Sequence, residues 1–481
     1  MIGRITEIEE LEDLYNSGKA ELVAVYGRRR VGKTYLIDQA FKGKITFRHA
    51  GLAPSEDEEE STTQMKDQLD EFYHSLLLHG MKKSHIPKNW IEAFYMLETL
   101  LQAKDDGERQ VVFLDELPWL DTPRSRFIKA FEGFWNIWGC HRDNLIVVVC
   151  GSANSWILDN LINEHGGLYN RVTYEIKLRP FTLRECEEFF KEKQIAMSRY
   201  DIAQSYMIIG GIPYYMGYFR KGLGLAQNID RLFYVENAKL RDEFNRLFNA
   251  TFDKPKLIKR IVRLLYSRNY GFTRKEISQV LGISTGGWLS KGLNALVASD
   301  FAVKYVPFSE SKKNEYYRLT DPFCIFYLKY VEGNVGSDEN YWQKNYNSHS
   351  IVSWRGVAFE RVCFNHIRQI KKALQIGGVS TTHSAWIRQG DTEEEGAQID
   401  LIISRGDNVV NMCELKFYSD DFSVNNVYYR TILKRQEILR NELSPKVSIQ
   451  STLVTTFGLA KGEYEGAFSN VVTLEDLFAE V

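Results

Sequence analysis

The sequence predicts an α/β protein that starts on a parallel sheet and ends in a second, separate α/β unit. Three observations carry this. Short apolar runs of strand character, Glu21–Tyr26, Val111–Leu114 and Leu145–Cys150, alternate with segments of helical spacing. The first run leads directly into Gly27-Arg28-Arg29-Arg30-Val31-Gly32-Lys33-Thr34, which reads G-x-x-x-x-G-K-T and precedes the helical stretch Tyr35–Phe41. Near the C-terminus, Gln398–Ile403 and Val409–Phe417 have strand patterning and carry Asp400, Glu414 and Lys416.

Composition bounds the remainder. A chain of 481 residues holds roughly three or four domains, and 44% apolar content is enough to fill their cores. With 61 basic and 63 acidic residues the net charge is −2, so any nucleic-acid contact has to come from a local patch. Six scattered cysteines, without a C-x-x-C pair, read as buried reduced thiols. The N-terminus lacks a signal-peptide pattern and no apolar run approaches ~18 residues, so the expectation is a soluble cytoplasmic protein without membrane contact.

Taken in order, residues 4–16 read as a helix with Ile5, Ile8, Leu11, Leu14 and Tyr15 on one face, Thr6 and Glu9 forming a capping box. The loop Gly27–Thr34 follows. Its glycines let the backbone curl so that N–H groups point at phosphates, and the next helix adds its positive end. Lys33 then reaches the β- and γ-phosphates and Thr34 holds Mg²⁺, with Arg28, Arg29, Arg30, Val31 and Tyr35 completing the nucleotide-binding stretch. The acidic run Ser55–Glu60 reads as solvated loop, and helices are expected over 61–79 and 90–103.

Gln110–Pro118 is an apolar strand ending in Asp115-Glu116. A buried parallel strand tolerates acids only where it leaves the core, which in a phosphate-binding sheet is where the metal sits. Asp115 is assigned to the metal and Glu116 to the attacking water. The next strand ends in Gly151-Ser152-Ala153-Asn154, where Ser152 or Asn154 either contacts phosphate or caps a helix. Arg171, in the Gly166–Arg171 loop, is a candidate arginine finger, acting in cis or from a neighbouring subunit of a homo-oligomer; structural ion pairing is the alternative.

Residues 3–245 resemble the prokaryotic ATPases of the archaeal-ATPase group, related to AAA+ and STAND NTPases. The likeness rests on the Gly27–Thr34 loop with its triple arginine, Leu114-Asp115-Glu116, Gly151-Ser152, Tyr169-Asn170-Arg171, Leu178-Arg179-Pro180-Phe181 and Gly210-Gly211-Ile212-Pro213-Tyr214-Tyr215. The family loop often has Gly where Asn170 stands. The resemblance implies an ATP-binding core (residues 1–178) and a helical lid (179–250) hinged near 179–181, with Pro213 near the adenine. Arg4, in the Gly3-Arg4 unit that precedes the first helix of many such ATPases, is a candidate for base or ribose contact; an exposed helix-start arginine is the alternative. Lid helices are expected over 182–194, 199–209 and 214–248.

From 253 to 305 ten basic residues stand against three acidic ones. Helices 256–267, 273–281 and 287–299, the turn at Gly282 and strands 301–308 and 315–319 follow the order of a winged helix, so 251–335 is assigned as such a domain. Lys312 and Lys313 on the wing and Lys291 on the third helix are its candidate DNA contacts. Trp288 and the scarcity of other polar side chains on that helix favour backbone contact over base readout, and interdomain packing is the alternative role.

Residues 336–481 form the last domain. Its helix 353–373 carries Glu360. Glu414 and Lys416, two apart on a strand, share a face while Cys413, Leu415 and Phe417 face the core, and a hairpin brings Asp400 beside them. Two carboxylates can bind Mg²⁺ and an adjacent amine can orient a water, which is apparatus for phosphodiester hydrolysis. Residues 350–460 resemble the PD-(D/E)xK superfamily, which implies a restriction-endonuclease-like fold. Asp400 and Glu414-Leu415-Lys416 stand for its D…ExK signature, Glu360 for its helical acid and Gln436 for a further polar residue; Asp400 and Glu414 are thus the expected metal ligands. An ion pair between Glu414 and Lys416 on an exposed hairpin is the alternative. The combined expectation is an ATP- and Mg²⁺-dependent ATPase whose nucleotide state controls a DNA-directed nuclease-like domain, or a switch whose last domain only binds DNA or protein.

Overall fold

The computed structural model describes residues 2–53, 65–152, 155–162, 168, 170–252, 254–284, 286–308, 315–334, 338–388 and 397–481. Asn154, Tyr169, the run Ser55–Glu60, Lys312 and Lys313 therefore lie outside the described residues. The chain forms two compact units, one of residues 1–180, 245–260 and 286–301, the other of 181–244, 261–285 and 302–481.

The first unit is built on five strands: β1 (Glu21–Gly27), β2 (Ile45–Ala50), β3 (Gln110–Asp115), β4 (Leu145–Ser152) and β5 (Tyr174–Leu178). They pair in the order β2-β3-β4-β1-β5, all parallel. The central strands β1, β3 and β4 are buried almost end to end, which is why they read as continuous apolar runs. β2 escapes the sequence pattern because it is an edge strand with one wet face. Phe47 and His49 point inward, whereas Arg48 pairs outward with Asp38. An aromatic cluster of Phe72, Trp90, Phe94 and Phe127 fills one face of the sheet, with edge-to-face contacts at 4.9–5.9 Å.

The first helix, Ile5–Asn16, begins two residues earlier than a cap at Thr6 allows. Arg4, in the left-handed region, is its N-cap, so the expected Thr6–Glu9 capping box does not form. The helix Trp90–Ala103 starts where expected, with the Asn89 side chain accepting the Glu92 amide.

In the second unit the lid segment yields helices Leu183–Glu192, with a Thr182–Glu185 capping box, and Arg199–Ile209. Gly211 is required here: its φ is +66°, and a Cβ would stand 2.3 Å from the Phe181 carbonyl oxygen. The single helix expected over 214–248 is instead divided into Pro213–Met216, Leu225–Phe233 and Glu243–Thr251. Gly222, at φ +82°, turns the chain between the first two. Three short strands, β6 (Phe272–Thr273), β7 (Ala302–Tyr305) and β8 (Tyr316–Leu319), pair antiparallel in the order β6-β8-β7. The helix Arg274–Leu281 opens with the Thr273–Glu276 capping box and closes on left-handed Gly282, as its sequence predicts.

The last sheet has the order β13-β12-β11-β10-β9, from β9 (Thr381–Arg388), β10 (Ala397–Arg405), β11 (Val409–Lys416), β12 (Ser448–Thr455) and β13 (Asn470–Thr473). β9, β10 and β11 run antiparallel, while β12 and β13 are parallel to β11. A parallel return needs a crossover, supplied by the helix Asn426–Glu442. The helix expected over 353–373 is two, His349–Asn365 and Ile367–Ala373, broken at His366. Among the described residues no helix is long and apolar enough to cross a membrane. The six cysteines are free and five are buried.

Candidate functional site

The phosphate-binding loop joins β1 to the helix Lys33–Ala40. Its first glycine is irreplaceable on steric grounds: Gly27 has φ +152°, and a Cβ there would lie 2.2 Å from the Leu178 carbonyl oxygen. Gly32, at φ +94°, turns the chain into the helix, whose first residue is Lys33. The Lys33 amine is buried and curls back onto the loop, donating to the Gly27 and Arg28 carbonyls at 3.4 and 3.3 Å. A loop that binds its own lysine amine loosely holds it in place for stronger acceptors.

β4 lies between β1 and β3, so the three strand ends form one edge, with Gly27 opposite Ser152 in register. Across it Thr34 Oγ1 donates to Asp115 Oδ2 at 2.7 Å. Glu116, in the left-handed region at φ +45°, donates its amide to Asp115 Oδ1 at 2.9 Å. Its own carboxylate accepts from the Ser152 amide, and burial, then the Asp115 charge, raises its pKa against the opposing pull of Lys33. The Ser152 hydroxyl is buried with no hydrogen-bond partner among the described residues. Lysine, hydroxyl and two acids thus converge on one strand edge. Thr34 and Asp115 are a hydroxyl and carboxylate pair suited to Mg²⁺, and the orphaned Ser152 hydroxyl is open to a further polar ligand.

The arginines have other neighbours. Arg28 is fully buried and its guanidinium lies 5.1 Å from the Phe301 ring centre. Arg29 lies 5.4 Å from the Trp119 ring and donates to the Ala250 carbonyl. Arg28 and Arg29 thus pack against aromatic rings beside the loop, contacts that the motif does not announce. Arg30 takes the left-handed conformation within the turn. Arg4 is buried rather than exposed; it donates to the Val31 carbonyl at 3.4 Å and the Arg179 carbonyl at 2.6 Å, tying the loop to the end of β5. Tyr35 and Arg171 are exposed. Pro213 belongs to the second unit, in the first turn of its short helix.

The helix Gly287–Ala298 belongs to the first unit. Lys291 pairs with Asp159 at 2.7 Å, and Lys254 lies 5.2 Å from the Trp288 ring. Trp156, Trp288 and Phe252 line a cavity of about 250 Å³ there. Lys291, the candidate nucleic-acid contact on this helix, is thus engaged within the unit.

In the second unit Asp400, Glu414 and Lys416 come together as expected. Lys416 Nζ lies 3.3 Å from Glu414 Oε2 and 3.8 Å from Asp400 Oδ2, and the Leu415 amide donates to Asp400 Oδ2 at 3.2 Å. Asp400 sits where β10 shifts register between Ile399 and Ile402, a bulge that re-aims side chains. Glu360 joins them electrostatically: burial and the Asp400 charge raise it to about 7. Burial also raises Asp400.

Glu414 departs from expectation, since its side chain is completely buried. On its face of β11, Val410 and Met412 pack with Ile432 and Leu439 of the helix Asn426–Glu442, so both faces of the strand are core and the exposed-hairpin alternative fails. Two residues of that helix, which patterning did not single out, seize its carboxylate. Arg435 binds Oε1 and the Tyr428 hydroxyl donates to Oε2 at 2.6 Å. Gln436 instead donates to Ser451 Oγ at 2.5 Å. Glu414 as placed does not fit a metal ligand, and among the described residues no three His, Cys, Asp or Glu side chains gather as a metal site. The seven-residue spacing of Tyr428 and Arg435 was the available signal, because it puts both on one helix face.

Residues 1–219 match a family model described as an ATPase domain predominantly from Archaea. An uncharacterized protein of Methanocaldococcus jannaschii is 22% identical over 453 residues, covering 91% of this chain and 92% of the relative. An uncharacterized ATP-binding protein of the same organism is 49% identical over 43 residues, 9% of this chain and 73% of that one. Among solved structures, a Walker-type ATPase of Pyrococcus abyssi is similar at 16% identity and a TM-score of 0.47, over 68% of this chain and 96% of the other.

Proposed function

We infer that this chain, whose first 219 residues match a family model described as an ATPase domain predominantly from Archaea, uses ATP binding and hydrolysis to control a nucleic-acid-directed site in its second unit. The observation that carries the ATPase half is the shared strand edge of Lys33, Thr34, Asp115 and Glu116. Lys33 and the loop amides bind the β- and γ-phosphates, and Thr34 and Asp115 would hold Mg²⁺, which supplies charge neutralisation on those phosphates. Glu116, with its raised pKa, takes the proton of the attacking water, and the Ser152 hydroxyl orients phosphate or water. Arg171 is the proposed finger, in cis or in trans, and Pro213 the proposed adenine neighbour.

For the second unit the supporting observation is the meeting of Asp400, Glu414, Lys416 and Glu360 from a helix and two strands. The sequence of helix, three antiparallel strands, crossover helix and parallel strand agrees with the nuclease-like resemblance. DNA is the proposed substrate. Because Glu414 is held by Arg435 and Tyr428, no hydrolytic step is derived through a metal at that residue. The same clamp favours a second reading, in which the unit binds nucleic acid without cutting it.

One experiment separates these. ATP hydrolysis and DNA cleavage are measured with Mg²⁺ for the wild type, Lys33→Ala, Glu116→Gln and Asp400→Ala. The reading expects Lys33→Ala to lose ATP binding, Glu116→Gln to bind but turn over on the order of 10²-fold more slowly, and Asp400→Ala to lose cleavage only. Cleavage that persists in Asp400→Ala removes the nuclease assignment, and DNA binding without cleavage in the wild type selects the second reading.

A further inference from the structure

Two arginines of the second unit lack the carboxylate partners that Arg199, Arg263 and Arg268 have among the described residues. Arg199, Arg263 and Arg268 each meet a carboxylate within 2.9 Å. Arg318 of β8 meets none among the described residues. Its guanidinium stacks 4.8 Å from the Phe364 ring and 5.4 Å from Tyr305, and its Nε is buried without a hydrogen-bond partner. Arg361, on the helix His349–Asn365, donates to the Val357 carbonyl at 3.1 Å and to Asn269 Oδ1 at 3.3 Å, and its Nε is likewise buried and unpartnered. The two guanidinium groups repel each other, and Lys329 at the rim feels Arg361 as a further like charge. Glu360 is the acid that acts on both arginines, yet it makes no ion pair with either among the described residues.

Two like charges brought into low dielectric, with one carboxylate that pairs with neither, are costly unless an anion completes the set. Both residues are half-buried as whole side chains, with their Nε atoms fully buried and part of each side chain still accessible. Guanidinium forks match phosphate oxygens in pairs, and the rings beneath Arg318 fix its plane. Glu360 adjoins Arg361 in the chain and is coupled to Asp400, which puts this group beside the D…ExK side chains.

We propose that Arg318 and Arg361, with Lys329 at the rim, form an anion pocket that takes a backbone phosphate of a nucleic-acid strand lying along the Asp400–Lys416 site. The proposal rests on the nucleic-acid reading of that unit. A free phosphate or nucleotide has the same binding chemistry, and the test distinguishes them.

The full chain is titrated with a fluorescein-labelled 20-nucleotide DNA, single-stranded and duplex, in buffer with EDTA, by anisotropy at several salt concentrations. Arg318→Met and Arg361→Gln are each expected to lower affinity on the order of tenfold and to flatten the salt slope by about one. In parallel, inorganic phosphate is added in a Lys33→Ala background, which removes the P-loop contribution, and the rise in Tm is recorded. The wild-type pocket gives a rise that both substitutions abolish. In phosphate-free buffer Arg318→Met keeps or raises Tm, because it removes an uncompensated charge; a fall marks a structural arginine and overturns the proposal. Unchanged DNA affinity and unchanged phosphate response also overturn it. Loss of the phosphate response with DNA binding intact rejects the nucleic-acid assignment. A wild type that ignores DNA but is stabilised by phosphate through these arginines refutes the reading of the unit while the pocket stands.

Discussion

Thr34 Oγ1 donates a hydrogen bond of 2.7 Å to Asp115 Oδ2 across 81 residues of sequence. The contact places the first turn after the phosphate-binding loop against the end of β3. It brings together the hydroxyl and the carboxylate proposed to hold Mg²⁺. Thr34→Ala and Asp115→Asn should therefore weaken nucleotide binding only when Mg²⁺ is present, by on the order of tenfold. Calorimetric titration with ATP, with and without Mg²⁺, measures the difference. Equal losses in both conditions would assign the pair a purely structural role.

Gly27 tolerates no side chain because of β5. A methyl carbon on Gly27 would stand 2.2 Å from the Leu178 carbonyl oxygen, so Gly27→Ala has to push the loop off the sheet edge. The expected cost is about 2–3 kcal/mol, from overpacking and from the positive φ. A lowered urea midpoint together with lost ATP binding is the outcome that agrees; Gly32→Ala, with nothing within 4 Å, isolates the backbone contribution.

His366 gives the second unit a pH dependence. Its Nδ1 donates to the Val362 carbonyl at 2.8 Å, so Nε2 is the acceptor for the Leu183 amide at 2.9 Å. Only the neutral ring can do both. Burial lowers its pKa to about 4, and burial lowers that of His49, in the first unit, to the same value. A histidine depressed in the folded state contributes stability above its unfolded value of about 6.5, and this is lost as pH falls toward 4. The contribution is roughly 3 kcal/mol at neutral pH. Urea midpoints of His366→Gln should vary less between pH 7 and pH 4.5 than those of the wild type, and parallel curves would count against it.

Glu414 and Asp400 should separate stability from function. Glu414→Gln strands the Arg435 guanidinium against a buried amide, which should cost about 2 kcal/mol, less than a fully buried pair because Arg435 is a quarter exposed. Asp400→Asn removes a charge that burial disfavours and leaves the fold as stable as before. Denaturant midpoints of the two proteins test the contrast; equal destabilisation would show that Asp400 also holds the sheet together.

Much of this was legible in the chain itself. The loop Gly27–Thr34 and Asp115-Glu116 declare themselves because phosphate binding demands particular residues at fixed spacing and buried parallel strands read as unbroken apolar runs. Capping chemistry is equally local, so the helix Arg274–Leu281 could be placed by Thr273, Glu276 and Gly282 alone. D…ExK was visible as a pattern of strand periodicity and charge.

Tertiary structure decided what those residues are free to do. β2, β9, β12 and β13 lack strong signals because edge strands and mixed surfaces alternate weakly, and their pairing is set by neighbours distant in sequence. Phe301 and Trp119 give the Arg28 and Arg29 side chains rings to stack on, and Arg4 becomes a brace for the loop rather than a surface charge. Arg435 and Tyr428 close on Glu414 only because a crossover helix packs on that face of β11. Arg318 of β8 comes near Arg361 only because it stacks on Phe364, three residues further along the same helix. Motifs fix chemical identity locally, whereas burial and charge balance are sums over the whole fold.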